Sequence, residues 1–141
     1  MKSTYCSFII LMGFVLTACG SNAQASEQKK LEIPSDVSSV CYSFETKLDK
    51  LGQEKGVRYN TNDAISVCEQ ALTNWVNNFS DGELPSTNET LTQYGNVSAS
   101  FQAAEDVRYA LLSESVTADF IDAWQGNITD ILMQAIVEVR N

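Results

Sequence analysis

Apolar residues in this chain form one nearly unbroken run and several periodic stripes. The run is Phe8 to Leu16, nine residues long. The first stripe is Val37, Val40, Cys41, Phe44, Leu48 and Leu51. Steps of three and four put these on one side of a helix, expected from Asp36 to about Glu54. Glu45, Lys47 and Asp49 are expected to face away. Ser35 suits the N-cap, Asp36 suits the positive end of the helix dipole, and Gly56 is a natural stop. A second stripe, Ile65, Cys68, Leu72, Trp75, Val76 and Phe79, predicts a helix over 62–79 capped by Thr61 or Asn62 and ended by Asp81-Gly82.

The pattern is less regular after Pro85. Ser86 and Glu89 have the spacing of a capping box. Leu91, Tyr94, Val97, Phe101, Ala104, Val107 and Leu111 then give a drifting helical stripe, interrupted at Gly95-Asn96. Val97, Ala99 and Phe101 also alternate, so a hairpin competes over 91–101. A lone hairpin is marginal in water and needs further strands. The helical reading, as two short helices or one kinked helix, is therefore preferred. The last stripe is Phe120, Ile121, Trp124, Ile128, Ile131, Leu132, Ala135 and Val139. It predicts one helix from Ala118 to about Val139 capped by Thr117, with Gly126 marking a close contact or a kink. Four amphipathic segments with short links predict an all-α fold, an antiparallel four-helix bundle over residues 35–141.

The apolar run at the start has a different meaning. Lys2 precedes it, small Thr17 and Ala18 follow it, and Cys19-Gly20 comes next. This is the three-part layout of an export signal. The run is too short to cross a hydrocarbon core, which takes about 20 apolar residues as a helix. Leu16-Thr17-Ala18-Cys19 resembles the lipobox of bacterial lipoproteins. The resemblance covers residues 1–19 only. It implies cleavage before Cys19, with a diacylglycerol on the Cys19 sulfur and an acyl chain on the new amine. Two or three chains hold a protein to a membrane where one does so only marginally. Lipoproteins kept at the inner membrane often carry Asp after the cysteine. Gly20 and Ser21 stand here instead, which in a Gram-negative host implies the outer membrane, facing the periplasm. Residues 1–18 are then a signal peptide, and 19–34 a lipidated cysteine and polar tether. Fully extended, the tether reaches about 50 Å.

Composition narrows the rest. Of four cysteines, Cys6 leaves with the signal and Cys19 takes the lipid. Cys41 and Cys68 remain, and in an oxidising compartment they are expected to form a disulfide. The chain has no histidine, so a zinc site of the usual kind is not expected and no cofactor is implied. The charge is uneven. Residues 59–141 hold twelve acids against Arg108 and Arg140. Such a surface repels phosphate backbones and attracts cations, which disfavours nucleic acid and favours a basic protein partner.

The lack of histidine also removes the usual general base of serine and cysteine hydrolases. No nucleophile elbow, phosphate loop or dinucleotide fingerprint is present. Glu105, Asp106, Asp119, Asp122 and Asp130 are the candidate binding residues, an acidic face for a cationic partner. They also suit the solvated sides of amphipathic helices. Trp75 and Trp124 fall on apolar stripes and are expected in the core. The expected function is non-enzymatic: a membrane-tethered helical domain that binds a protein. One form is an inhibitor or immunity protein against a basic periplasmic enzyme or toxin. Another is an escort of an outer-membrane assembly, since secretin pilot proteins resemble this chain in general architecture. An enzyme, such as a glycosidase using paired carboxylates, is an alternative of a different class.

Overall fold

A computed structural model describes residues 32–79, 81–86 and 98–141. Cys19, the tether to residue 31, Glu89 of the capping box, and Leu91, Tyr94 and Val97 lie outside the described residues. Within them the chain is helical, without strands: α1 (Ser35–Lys55), α2 (Thr61–Phe79), α3 (Ser98–Glu114), α4 (Ala118–Trp124) and α5 (Asn127–Arg140). All five belong to one compact unit, Ile33–Asn141.

α1 begins one residue earlier than the stripe predicts. Its N-cap is Pro34, whose carbonyl accepts from Ser38 N–H at 3.1 Å, so Ser35 is the first helical residue instead of the cap. The ring of Pro34 fixes φ at −58°, a value that also suits a cap residue. α1 stops at Gly56 in the left-handed conformation, φ 69°. Gly56 N–H donates to the Gln53 carbonyl at 3.4 Å and Val57 N–H to the Gly52 carbonyl at 2.9 Å. This double closure satisfies two carbonyls that the helix end would leave orphaned.

Asn60 caps α2, in place of the expected Thr61 or Asn62. Its Oδ1 accepts from Asn62 N–H at 3.1 Å and Asp63 N–H at 3.5 Å. The buried side of α2 is Ala64, Val67, Cys68, Ala71, Leu72, Trp75 and Val76, while Ile65 is only partly buried. The small residues Ala64 and Ala71 thus face the core.

α3 is helical at Ala99 and Phe101, so the hairpin does not extend over them. Thr117 caps α4 as expected, its Oγ1 accepting from Phe120 N–H at 3.3 Å. The expected helix over 118–139 is two helices. Gly126 takes φ 90°, and the chain turns through Gln125 and Gly126 before α5 begins. Gly126 is a break, more than a kink, because a left-handed residue cannot continue the hydrogen-bond ladder.

Packing follows the stripes. α1 lies against α2 and α5, α3 lies against α2 and α5, and α4 packs on α3. Trp75, Trp124, Phe44, Leu48, Leu72 and Leu111 are the largest fully buried side chains. Polar ties run along the α1 seams. Ser38 donates to Glu69 of α2 at 2.7 Å. Lys47 reaches Glu138 of α5 at 2.7 Å, and Ser43 donates to the same carboxylate at 3.0 Å. These contacts hold the Glu138 carboxyl below its ordinary range, the Lys47 hydrogen bond most and the Ser43 bond next.

The disulfide joins Cys41 of α1 to Cys68 of α2, with Cα atoms 5.6 Å apart and both residues fully buried. Closing a loop of this length stabilises a fold by about 3.5 kcal/mol in the chain-entropy model. Reduction of the full chain, or Cys41→Ala with Cys68→Ala, is therefore expected to lower the urea-unfolding free energy by about 3–4 kcal/mol. A change below about 1 kcal/mol would show that the reduced unfolded chain is already constrained.

Gly52 gives a second test. A Cβ there would lie 2.9 Å from the Val57 carbonyl oxygen and 3.5 Å from the Trp124 ring. Gly52→Ala gains about 1 kcal/mol of helix propensity but forces backbone apart. We expect the thermal midpoint to fall; a rise would mean that the α1 terminus relaxes freely.

Candidate functional site

The acids singled out in the sequence occupy three different settings. Glu105 on α3 is part-buried and accepts from Arg108 Nη2 at 2.8 Å, so its charge is largely answered. Asp106, one residue on, accepts only a neutral donor among the described residues, Gln102 Nε2 at 2.8 Å. Asp119 and Asp122 are exposed on α4. Asp119 lies in its first turn, where a carboxylate meets the positive end of the helix dipole. Asp130 lies apart from these, in the first turn of α5. It lines a groove of about 310 Å³ between α1 and α5 together with Lys47, Lys50, Glu54, Asn127 and Gln134. Its neighbourhood is mixed in charge instead of purely acidic.

The basic side chains of the acidic half are both engaged. Arg108 holds Glu105, and Arg140 lies 3.8 Å from Asp36 of α1. Asp106, Asp119 and Asp122 therefore have no ion-pair partner among the described residues. Lys47 and Glu45, expected to be solvated, are instead structural. Lys47 ties α1 to α5, and Glu45 accepts from Tyr59.

A larger depression, about 520 Å³, opens at the end of α1 between Asp49, Gln53, Gly56 and Tyr59. Tyr59 of its lining begins an aromatic row that runs into the core. Tyr59 tilts against Phe120 at 5.2 Å between centroids, and Phe120 stacks on Trp124 at 5.1 Å. The Tyr59 hydroxyl donates to Glu45, with the carbonyl at 3.2 Å and the carboxylate at 3.1 Å. Burial raises the Tyr59 pKa most, followed by the Glu45 charge and hydrogen bond and then Asp49, to well above its ordinary value. A phenol held so firmly protonated anchors the loop after α1; it is not available as a base near neutral pH. Sequence reasoning passed over Tyr59, because a single tyrosine in a polar link has no periodic neighbour to mark it.

α3 shows a second departure from the sequence reading. Phe101, expected on the buried stripe, is 52 % exposed, as are Tyr109 at 61 % and Leu112 at 42 %. The buried side is Ala103, Ala104, Val107 and Leu111. At about 100° per residue, Phe101 lies about a quarter turn from the centre of that group. The two tryptophans are in the core, as their stripes predict. Among the described residues no group of three or more carboxylates or thiols converges as a metal site would require. No described helix is long and apolar enough to cross a membrane. Comparison with protein-family models, with curated proteins and with solved structures finds no match to this chain.

The Tyr59 environment predicts a pH effect. Its folded pKa is raised, so the stability it contributes is complete below about pH 10, the unfolded value. That stability is lost as pH rises from there, because the unfolded chain releases the proton first. Tyr59→Phe is expected to flatten the fall of the urea midpoint above about pH 10. An unchanged alkaline slope would mean that other groups carry it.

Proposed function

We propose that this chain is a lipid-anchored protein of the bacterial cell envelope whose helical domain binds another protein. The closed circuit of helix pairs, α1 to α2 to α3 to α5 and back to α1, supports an antiparallel four-helix bundle with α4 as a corner piece. Residues 16–19 support the anchor, with Cys19 as the lipid-bearing residue, and Gly20-Ser21 support the outer membrane facing the periplasm.

One observation carries the binding reading. Both arginines of residues 59–141 are spent on Glu105 and Asp36, which leaves Asp106, Asp119 and Asp122 without a cation. A domain carrying this surplus favours a basic partner, as an inhibitor or immunity protein against a basic envelope enzyme or toxin does. The escort reading has support of its own in the exposed apolar side chains of α3.

Capture experiments separate them. The full chain, immobilised in mild detergent, is exposed to envelope extract at low salt and eluted in rising salt. The inhibitor reading expects a basic protein to leave early, within about 0.3 M salt, where the screening length falls below about 6 Å. Asp119→Lys with Asp122→Lys should weaken capture about tenfold or more. An escort's partner would stay bound at high salt and tolerate those changes. An empty eluate from both host envelope and secreted fractions counts against protein binding. Cys19→Ser is expected to release the chain from membranes, and full retention would remove the anchor.

A further inference from the structure

The depression at the end of α1 has two charged side chains among the described residues of its lining, Asp49 and Arg58. They are opposite in sign, yet no ion pair joins them. Arg58 is exposed and makes no ion pair with any described residue. Asp49 is held in place from the side, its Oδ2 accepting from Gln53 Nε2 at 2.6 Å. A carboxylate has about four acceptor positions, so most of its capacity remains open.

The walls of the depression are fixed before anything binds. Gly56 and Val57 N–H groups close the end of α1 onto the Gln53 and Gly52 carbonyls. The Tyr59 hydroxyl is tied to Glu45, and Phe120 packs against the Tyr59 ring at 5.2 Å. A ligand therefore does not have to order this segment, which removes one of the usual costs of binding. Gly52 and Gly56 leave bare backbone in the lining, where a ligand can approach closely. The volume, about 520 Å³, falls in the range of small-molecule sites, about 300–1,000 Å³.

Charge decides the class of ligand. A simple cation would be drawn by Asp49 and repelled by Arg58, and a simple anion the reverse. A molecule that carries both an ammonium and a carboxylate answers both side chains. We propose that this depression binds a small zwitterion, an amino acid or dipeptide, with its ammonium on Asp49 and its carboxylate on Arg58. The guanidinium fork matches a carboxylate through two parallel hydrogen bonds. Tyr59 offers the carbon skeleton an aromatic surface. A dipeptide is about 7 Å long, short enough for a site of this volume. The inference stands apart from the protein-binding reading, since Asp106, Asp119 and Asp122 do not line the depression.

The test is calorimetric titration of the full chain in mild detergent, with detergent alone as the blank. The probe is alanyl-alanine. Its controls are the N-acetylated dipeptide, which lacks the ammonium, and the dipeptide amide, which lacks the carboxylate. The free dipeptide is expected to bind at least about tenfold more tightly than either control, since a hydrogen-bonded charge is lost in each. Asp49→Asn should remove the preference over the acetylated control and keep that over the amide. Arg58→Gln should do the opposite. Both side chains are exposed, so neither change should move the melting temperature. Equal binding of all three compounds, or no binding of any at about 10 mM, would overturn the proposal. Full binding of the amide would make the depression a cation site and full binding of the acetylated dipeptide an anion site, and either result would also overturn it. So would a variant that keeps both preferences.

Discussion

The Cys41–Cys68 bridge is the constraint from which the rest of the domain can be followed. It lies fully buried where α1 meets α2. Cys41 is early in α1 and Cys68 is in the first half of α2, so the helices cannot meet at equal distances from their link. The chain must run back along α1 after it ends. The double closure at Gly56 and the Tyr59–Glu45 hydrogen bond perform that return. Tyr59 is pinned to the middle of α1 while Val57 packs against the core, and α2 starts at Thr61 in the register the bridge requires.

Holding α1 against α2 has consequences at its other seams. The same helix carries Ser43 and Lys47, both of which meet Glu138 of α5. It also carries Gly52, whose missing side chain lets the Trp124 ring lie close to the backbone. Each of these contacts is modest for stability, because surface ion pairs contribute little. Their value is positional. They fix α4 and α5 relative to α1, and α3 then closes the remaining gap between α2 and α5. α3 brings a narrow inner face with two alanines and turns its largest apolar side chains outward.

That choice explains where sequence reasoning succeeded and where it did not. α1 was legible nearly to the residue, because six apolar positions at regular steps leave one helix phase. The disulfide was legible because Cys41 and Cys68 are the two cysteines left over in a chain read as exported to an oxidising compartment. Thr117 was legible as a cap because its side chain precedes a clean helical period. Asn60 was missed because three consecutive residues, Asn60, Thr61 and Asn62, can all cap, and only the backbone decides among them. The break at Gly126 was visible only as a weak point. A glycine inside a helical stripe costs only about 1 kcal/mol against alanine, so its presence alone does not separate a kink from a break. Phe101 was misplaced because a drifting stripe admits either of two phases when half of the inner face is alanine. Of the candidate acids, the residue types were legible but their partners were not. Arg108 and Arg140 neutralise particular carboxylates only through the fold.

The outward apolar side chains of α3 and the surplus acids raise separate questions. A small domain with one core buries its large apolar residues where it can. Here Phe101, Tyr109 and Leu112 stay outside while Ala103 and Ala104 are taken inside. The core does not need the larger side chains, so their presence is not explained by folding. Burial elsewhere is more complete, with both tryptophans and most aliphatics of α1 and α5 enclosed, although Tyr42 of α1 and Val137 of α5 are also exposed. The unpaired acids are not grouped with these side chains: Asp106 shares α3, but Asp119 and Asp122 lie on α4. The exposed apolar side chains and the surplus charge are therefore separate features of the surface. The charge acts on the whole domain, because a net charge far from zero keeps copies of a protein apart and lets apolar side chains stay exposed without self-association.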